Sequence, residues 1–206
     1  MRRGVIIALE GTEGSGKTTY SRFLAEFLAE QGYPAILVKE PSSFLRDVIK
    51  NRSQFKSTGV DVLLFAADRL RQFEMLVKPA LTSGKVIVSD RSVFSSFAYQ
   101  SVQGVDLAWL ELLNSRVPLP DLVIVLDVDP SIGLQRTAKR NETSSFDMAV
   151  NRSAVQEKVR LAYHALAERY KGRLVIIDTT HRSTQEVQAL IKDIVLEYLA
   201  GGGPIG

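Results

Sequence analysis

The sequence predicts an α/β protein, a parallel sheet with helices on both faces. Two patterns predict it. Short β-branched apolar runs alternate along the chain with longer stretches of helical apolar spacing, the order of a wound parallel sheet. The short runs are apolar almost throughout, as strands covered on both faces are. The length, 206 residues, suits a single domain. That domain is assigned to residues 1–200, with 201–206, "GGGPIG", as a frayed, flexible tail.

Gly4–Glu10, "GVIIALE", reads as the first strand. Lys17–Gln31 is a helix, because Phe23, Leu24, Phe27 and Leu28 share a face and Gly32 is a stop signal. Ala35–Glu40 is the second strand, ended by Pro41, and Ser43–Asn51 a short helix. Val60–Leu81 is a long helix, apolar nearly all round at its start. Lys85–Asp90 is the third strand, and Val105–Ser115 is helical. Asp121–Val128 is the fourth strand, with Pro130 opening the helix after it. Arg173–Asp178 is the fifth strand and Thr184–Leu199 the last helix. Asn141–Ser145, "NETSS", is polar without apolar spacing and is expected to be a mobile loop.

Composition narrows the function classes. The net charge of +3 is small and scattered, which argues against a nucleic-acid partner. Sixteen arginines outnumber ten lysines, and arginine is the better planar clamp for phosphate. There is no cysteine, so thiolate metal sites and disulfides are excluded. The two histidines, His164 and His181, are far apart in sequence, which argues against a histidine-rich zinc site. No apolar run reaches membrane-spanning length, and Met1-Arg2-Arg3 leads directly into a strand. A cytoplasmic protein with no membrane partner is the expectation.

The sharpest motif is Gly11-x4-Gly16-Lys17-Thr18, between a strand and a helix. Glycines let backbone N–H groups turn onto phosphate oxygens, and the following helix points its positive end at the same place. The segment Gly11, Thr12, Glu13, Gly14, Ser15, Gly16, Lys17, Thr18 and Thr19 is therefore the candidate ATP site. Lys17 is placed on the β/γ-phosphates and Thr18 on Mg²⁺. Glu13 puts a negative charge inside this loop. It must point away from the triphosphate, either to solvent or to a second substrate with a hydroxyl to donate.

Two further constellations follow. Asp90-Arg91 ends a strand at the carboxyl edge of the sheet, where such folds bind ligands. Asp90 is suited to organising Mg²⁺ waters and Arg91 to forking onto a phosphate, although an isolated Asp-Arg is most often a surface ion pair. Phe65 and Arg69 share a helix face at i and i+4. A ring beside a fixed donor fork suits a pyrimidine, while simple core packing is the plainer reading of Phe65.

From Val5 to about Asp178 the chain resembles the thymidylate kinase family of P-loop nucleoside monophosphate kinases. The resemblance rests on "EGTEGSGKTT", "KEP", "LLFAADR" (63–69), "DRSVFSSFAYQ" (90–100) and "RTAKR" (136–140), in that order. It implies a P-loop NTPase three-layer sandwich with strand order 2-3-1-4-5 and a short lid over about 136–152. It implies a homodimeric enzyme that phosphorylates dTMP with ATP and Mg²⁺. Glu13 falls where relatives meet the acceptor's 3′-hydroxyl, and Phe65 and Arg69 where they hold the thymine. Tyr99 falls near the 2′ carbon, with Ser96 and Gln100 beside the base; the plainer reading of this segment is a strand-following amphipathic helix with Phe94, Phe97 and Tyr99 as packing. This chain has Gly14 and Ser15 where some relatives carry a catalytic arginine in the loop. Arg136 and Arg140, with Arg152 as a third candidate, are then expected to supply it together with Lys17 and Arg91. Bacterial relatives continue "EPGGT", whereas this chain has Glu40-Pro41-Ser42-Ser43-Phe44. Glu40 and Arg46 are placed with the acceptor, and Lys50 is the substitute for Arg46.

The nearest alternative is a deoxynucleoside kinase, with Glu40 as general base for a 5′-hydroxyl. A GTPase-type switch would need an Asn-Lys-x-Asp segment, which is missing, and a nucleic-acid-dependent ATPase would need a basic stripe.

Overall fold

The computed structural model describes residues 4–51, 57–138 and 152–201, apart from the Arg152 side chain. Five strands form one sheet: β1 (Val5–Gly11), β2 (Ala35–Lys39), β3 (Val86–Asp90), β4 (Leu122–Asp127) and β5 (Leu174–Asp178). All pairings are parallel and the order is β2-β3-β1-β4-β5, as expected. The strand that leads into the phosphate-loop pattern is therefore central.

Alternation along the strands builds two core layers. Ile7 and Leu9 of β1, with Leu122, Ile124 and Leu126 of β4, face α1 (Lys17–Glu30) and α9 (Thr184–Gly201), where Leu24, Leu28, Val187 and Ile191 complete the layer. Ala8, Val123 and Val125 face the opposite side. They meet Phe94 and Phe97 of α5 (Val93–Val102), Leu110 of α6 (Leu107–Leu113), and Val159 and Tyr163 of α8 (Arg152–Arg169). The remaining helices are α2 (Ser43–Lys50), α3 (Thr58–Gln72), α4 (Lys78–Thr82) and α7 (Pro130–Ala138).

Three element assignments change. The long helix begins earlier than its apolar pattern, because Ser57 caps it by accepting from the Val60 amide at 3.2 Å. It is also not one regular helix: a π-helical turn, Phe73–Val77, separates α3 from α4. The third change is α8, to which the sequence reading gave no element. Its buried residues Val159, Tyr163 and Leu166 carry helical spacing, but they are few among polar neighbours. The expected loop at 141–145, most of the expected lid and the tail from 202 lie outside the described residues. Among the described residues no helix is long and apolar enough to cross a membrane.

Candidate functional site

β1 delivers its last residue, Gly11, to the carboxyl edge of the sheet, and α1 starts at Lys17. The intervening turn carries the phosphate-loop pattern, with the helix N-terminus behind it. Lys17 is buried, and its ammonium donates to the Thr12 carbonyl at 2.5 Å and to Ser15 Oγ at 3.2 Å. Gly14 takes a left-handed φ of 73°. It lies against Gly133 of α7, so closely that a Cβ on Gly14 would stand 2.0 Å from the Gly133 carbonyl oxygen. A side chain at position 14 is therefore incompatible with α7 in this place, which is a physical reason for a loop without an arginine. The contact is reciprocal, since a Cβ on Gly133 would meet the Glu13 carbonyl oxygen at 2.4 Å. Gly133→Ala is expected to cost about 1–3 kcal/mol, because backbone and not a flexible side chain must give way. Thermal melting checks the cost. A raised KM for ATP is the expected companion, since the displaced backbone belongs to the loop.

Strand register places the next group. β1 and β3 are neighbours with Leu9 opposite Asp90, so Asp90 and Arg91 emerge beside Gly11. Thr18 Oγ1 donates to Asp90 Oδ2 at 2.6 Å, and the Lys39 ammonium reaches the same two atoms at 3.0 and 2.9 Å. Burial works to raise the Asp90 pKa. The Thr18 hydrogen bond, Lys39 and Arg91 outweigh it, so the carboxyl lies below its ordinary value and stays ionised. Arg91 has a φ of 76°, and its guanidinium lies over the Tyr99 ring, 5.4 Å from the centroid. Burial opposes its charge, but the phenols of Tyr99 and Tyr163 and the carboxylates of Glu10 and Asp90 hold its pKa above the ordinary arginine value.

Arg69 is 4% exposed and bonds through each of its three nitrogens. Its Nε donates to Glu40 Oε2 at 2.8 Å, Nη1 to Asn114 Oδ1 at 2.5 Å and Nη2 to Ser96 Oγ at 3.0 Å. The structure thus brings Glu40, Arg69 and Ser96 together. Glu40 is pushed above the ordinary glutamate value, chiefly by burial, and Arg69 pulls against that shift. Gln100 lies one turn beyond Ser96 on the same helix. It is buried, and neither its amide nitrogen nor its amide oxygen has a partner among the described residues. Phe65 is half-buried one turn before Arg69. Tyr99 Oη donates to the Gly11 carbonyl at 3.5 Å, next to the phosphate loop. Arg46 is held elsewhere, donating to the Pro41 carbonyl at 2.7 Å, and Lys50 is exposed on α2.

The arginines expected from the lid are only partly visible. The Arg136 guanidinium donates to the Thr179 and Thr180 carbonyls at 2.9 and 3.1 Å, at the end of β5. Arg140 and the Arg152 side chain lie outside the described residues. Several groups escaped the sequence reading. Glu10 is a fully buried carboxylate at the end of β1. Gln156 of α8 accepts from the Glu13 amide at 2.9 Å. Asp127 takes two hydrogen bonds from Arg160, at 2.6 and 3.0 Å. The signal for Glu10 and Asp127 was available, since each is a carboxylate closing an otherwise apolar strand. Gln156 and Arg160 have no local signal, because the helix that carries them shows only a thin apolar stripe.

The thymidylate kinase family model matches residues 9–191. Among known proteins, the chain is 38% identical to "Probable thymidylate kinase" of Pyrococcus abyssi, over 97% of this chain and 99% of that protein. It is 37% identical to the protein of the same name from Pyrococcus horikoshii, over 94% and 98%. A crystal structure of thymidylate kinase from Ehrlichia chaffeensis superposes with a TM-score of 0.75 at 26% identity, covering 94% of this chain and 99% of that one. A match that begins inside the first strand, runs into the last helix and holds in three dimensions shows that the chain belongs to the thymidylate kinase family.

Proposed function

We propose that this chain transfers the γ-phosphoryl group of ATP to dTMP, giving ADP and dTDP. Family membership supports the reaction. The observation that carries it in this chain is the register of β1 against β3, which brings Arg91 out beside the phosphate loop. Lys17 and Arg91 then stand as cations from two separate motifs, suited to two anionic partners. We assign the donor to residues 11–19. We assign the acceptor phosphate to Arg91, with Arg46 as a second contact that must leave Pro41 to serve. Arg136, Arg140 and Lys17 are assigned to the charge on the moving phosphoryl group.

Gln100 and Arg69 are assigned to the pyrimidine, with Glu40 and Ser96 holding the Arg69 fork and Phe65 stacking on the ring. A buried amide with a donor and an acceptor to spare is complementary to the donor–acceptor edge of thymine. Glu13 and Tyr99 are assigned to the deoxyribose. Mg²⁺ fits the donor set, since Thr18 Oγ1 and Asp90 supply hard oxygen ligands. Such an ion is held largely by phosphates and water, with one or two protein ligands. Bound there, it would neutralise β/γ charge; Lys39 must move aside to admit it.

A homodimer is part of the proposal. Val60, Leu63, Met75 and Leu76 leave apolar surface on α3 and the turn after it, and Phe44 of α2 is 61% exposed, under Arg71. The cytoplasm is the proposed compartment.

The deoxynucleoside-kinase alternative is not favoured. A monophosphate, with a second pKa of ~6, is mostly a dianion at pH 7 and needs no general base. Glu40, moreover, is already committed to Arg69. A coupled assay of ADP release is expected to show turnover with dTMP and none with thymidine. Glu40→Gln should keep substantial activity, because an amide oxygen can still accept from Arg69. Thymidine as the better acceptor, with its phosphorylation abolished in a folded Glu40→Gln, would sink this reading.

A further inference from the structure

We propose that Glu10 is the positioning residue for Arg91: it fixes the turn that aims the guanidinium and holds the guanidinium through Ser95. The inference rests on the dTMP reading, in which Arg91 takes the acceptor phosphate.

A fully buried carboxylate at the end of an apolar strand is costly unless its oxygens are satisfied. Glu10 has five donors. Its Oε1 accepts from the Ser92 amide at 2.6 Å, the Ser92 hydroxyl at 2.7 Å and the Ser95 amide at 3.1 Å. Its Oε2 accepts from the Ser95 hydroxyl at 2.6 Å and the Tyr163 hydroxyl at 2.8 Å. Four of the five come from the two serines that flank the start of α5, directly after Arg91.

The backbone shows why they gather there. The Arg91 amide still pairs with the Leu9 carbonyl at 3.0 Å, the last rung between β1 and the chain leaving β3. Arg91 then turns into the left-handed region, unusual for a residue with a Cβ. The next amide, Ser92, finds the Glu10 carboxylate in place of another strand carbonyl. The side chain thus takes over the ladder where the turn leaves it, and so over-determines a conformation that would otherwise be disfavoured. Ser95 extends the hold to the side chain. Its hydroxyl donates to Glu10 and accepts from Arg91 Nη1 at 3.2 Å, which makes a chain Arg91–Ser95–Glu10. The fifth donor, Tyr163, sits on α8, the helix whose Gln156 also binds the phosphate loop at Glu13. An apolar residue could fill the space at lower desolvation cost. Only a multiple acceptor can hold this turn.

The test separates phosphate binding from the rest of the acceptor site. Glu10→Gln keeps the shape, since its oxygen can retain the three donors at Oε1 and the two hydroxyls at Oε2 can rotate to accept from its NH₂. It loses the charge. Binding of dTMP, thymidine and ADP is measured by calorimetry. Glu10→Gln is expected to weaken dTMP about ten-fold, the scale of exchanging charge-assisted hydrogen bonds for weaker neutral ones that hold the turn less firmly. Thymidine, which has no phosphate, and ADP should bind as in wild type. Ser95→Ala cuts the same chain without touching the carboxylate and should act in the same direction. It decides the matter if Glu10→Gln does not fold. In an Arg91→Ala background Glu10→Gln should add little, because the residue it positions is gone. The inference is overturned if dTMP binding is unchanged, if thymidine weakens in parallel, or if the effect persists without Arg91. A wild-type chain that binds no dTMP would overturn the dTMP reading and this inference together.

Discussion

Lys17→Ala is expected to lower phosphoryl transfer by about 10²–10³-fold or more while the protein stays folded, the scale of losing one preorganised donor at developing charge. The ammonium sits in the turn between β1 and α1, buried, and bonded to Thr12 and Ser15 of the same loop. Those two bonds shape the loop. With triphosphate bound, the charge is available to non-bridging oxygens whose charge grows in the transition state, which is why the loss falls on rate more than on binding. The stability cost is expected to be small, since the ammonium's bonds to Thr12 and Ser15 lie within the loop and the helix continues behind it. Steady-state and single-turnover rates, with thermal melting as the control, check this. Turnover near wild type in a folded Lys17→Ala would remove the phosphate-loop assignment.

The contrast between Lys17 and Arg69 shows what was legible in the sequence. The loop is legible because its chemistry is local: glycines, lysine and threonine at fixed spacing, between a strand and a helix, define a phosphate site before any contact is known. The strands are legible for a similar reason, since burial on both faces writes apolar runs into the chain. The reading of Arg69 as a base-facing fork was only half accessible. Its i, i+4 relation to Phe65 is visible, but its bonds to Glu40, Asn114 and Ser96 join residues 29, 45 and 27 positions away. Spacing along one helix cannot report those partners. Arg46 makes the same point in the other direction: its nearest acceptor is the Pro41 carbonyl of its own turn. The helix α8 is not legible because its apolar stripe is thin, and neither are Gln156 and Tyr163, which tie that helix to the phosphate loop and to Glu10.

Arg69→Ala is expected to destabilise the protein by ~3–5 kcal/mol at neutral pH, the scale of leaving one member of a buried ion pair alone. The pairing is close, with Arg69 Nη2 and Nε both 2.8 Å from Glu40 Oε2. Glu40 already stands above its ordinary value because of burial, and Arg69 is the main influence holding it down. Without Arg69 the carboxyl moves further up. The sign of the pH dependence follows. A carboxyl whose folded pKa is raised costs no stability below the ordinary glutamate value, where it is protonated in both states. The cost grows as pH rises through the interval between the ordinary and the folded value, and is complete above the latter. The Arg69→Ala deficit should therefore be smallest in mild acid and largest at neutral and higher pH. Arg69→Ala/Glu40→Gln has no carboxylate to strand, so it should lose this slope and recover part of the stability at pH 7. Asn114 and Ser96 remain without their donor in both variants, which keeps the recovery incomplete. Melting curves of the wild type and the two variants across that pH range decide it. An Arg69→Ala protein that melts like wild type at pH 7, or a slope that survives in the double variant, would show that the pair does not carry the stability ascribed to it.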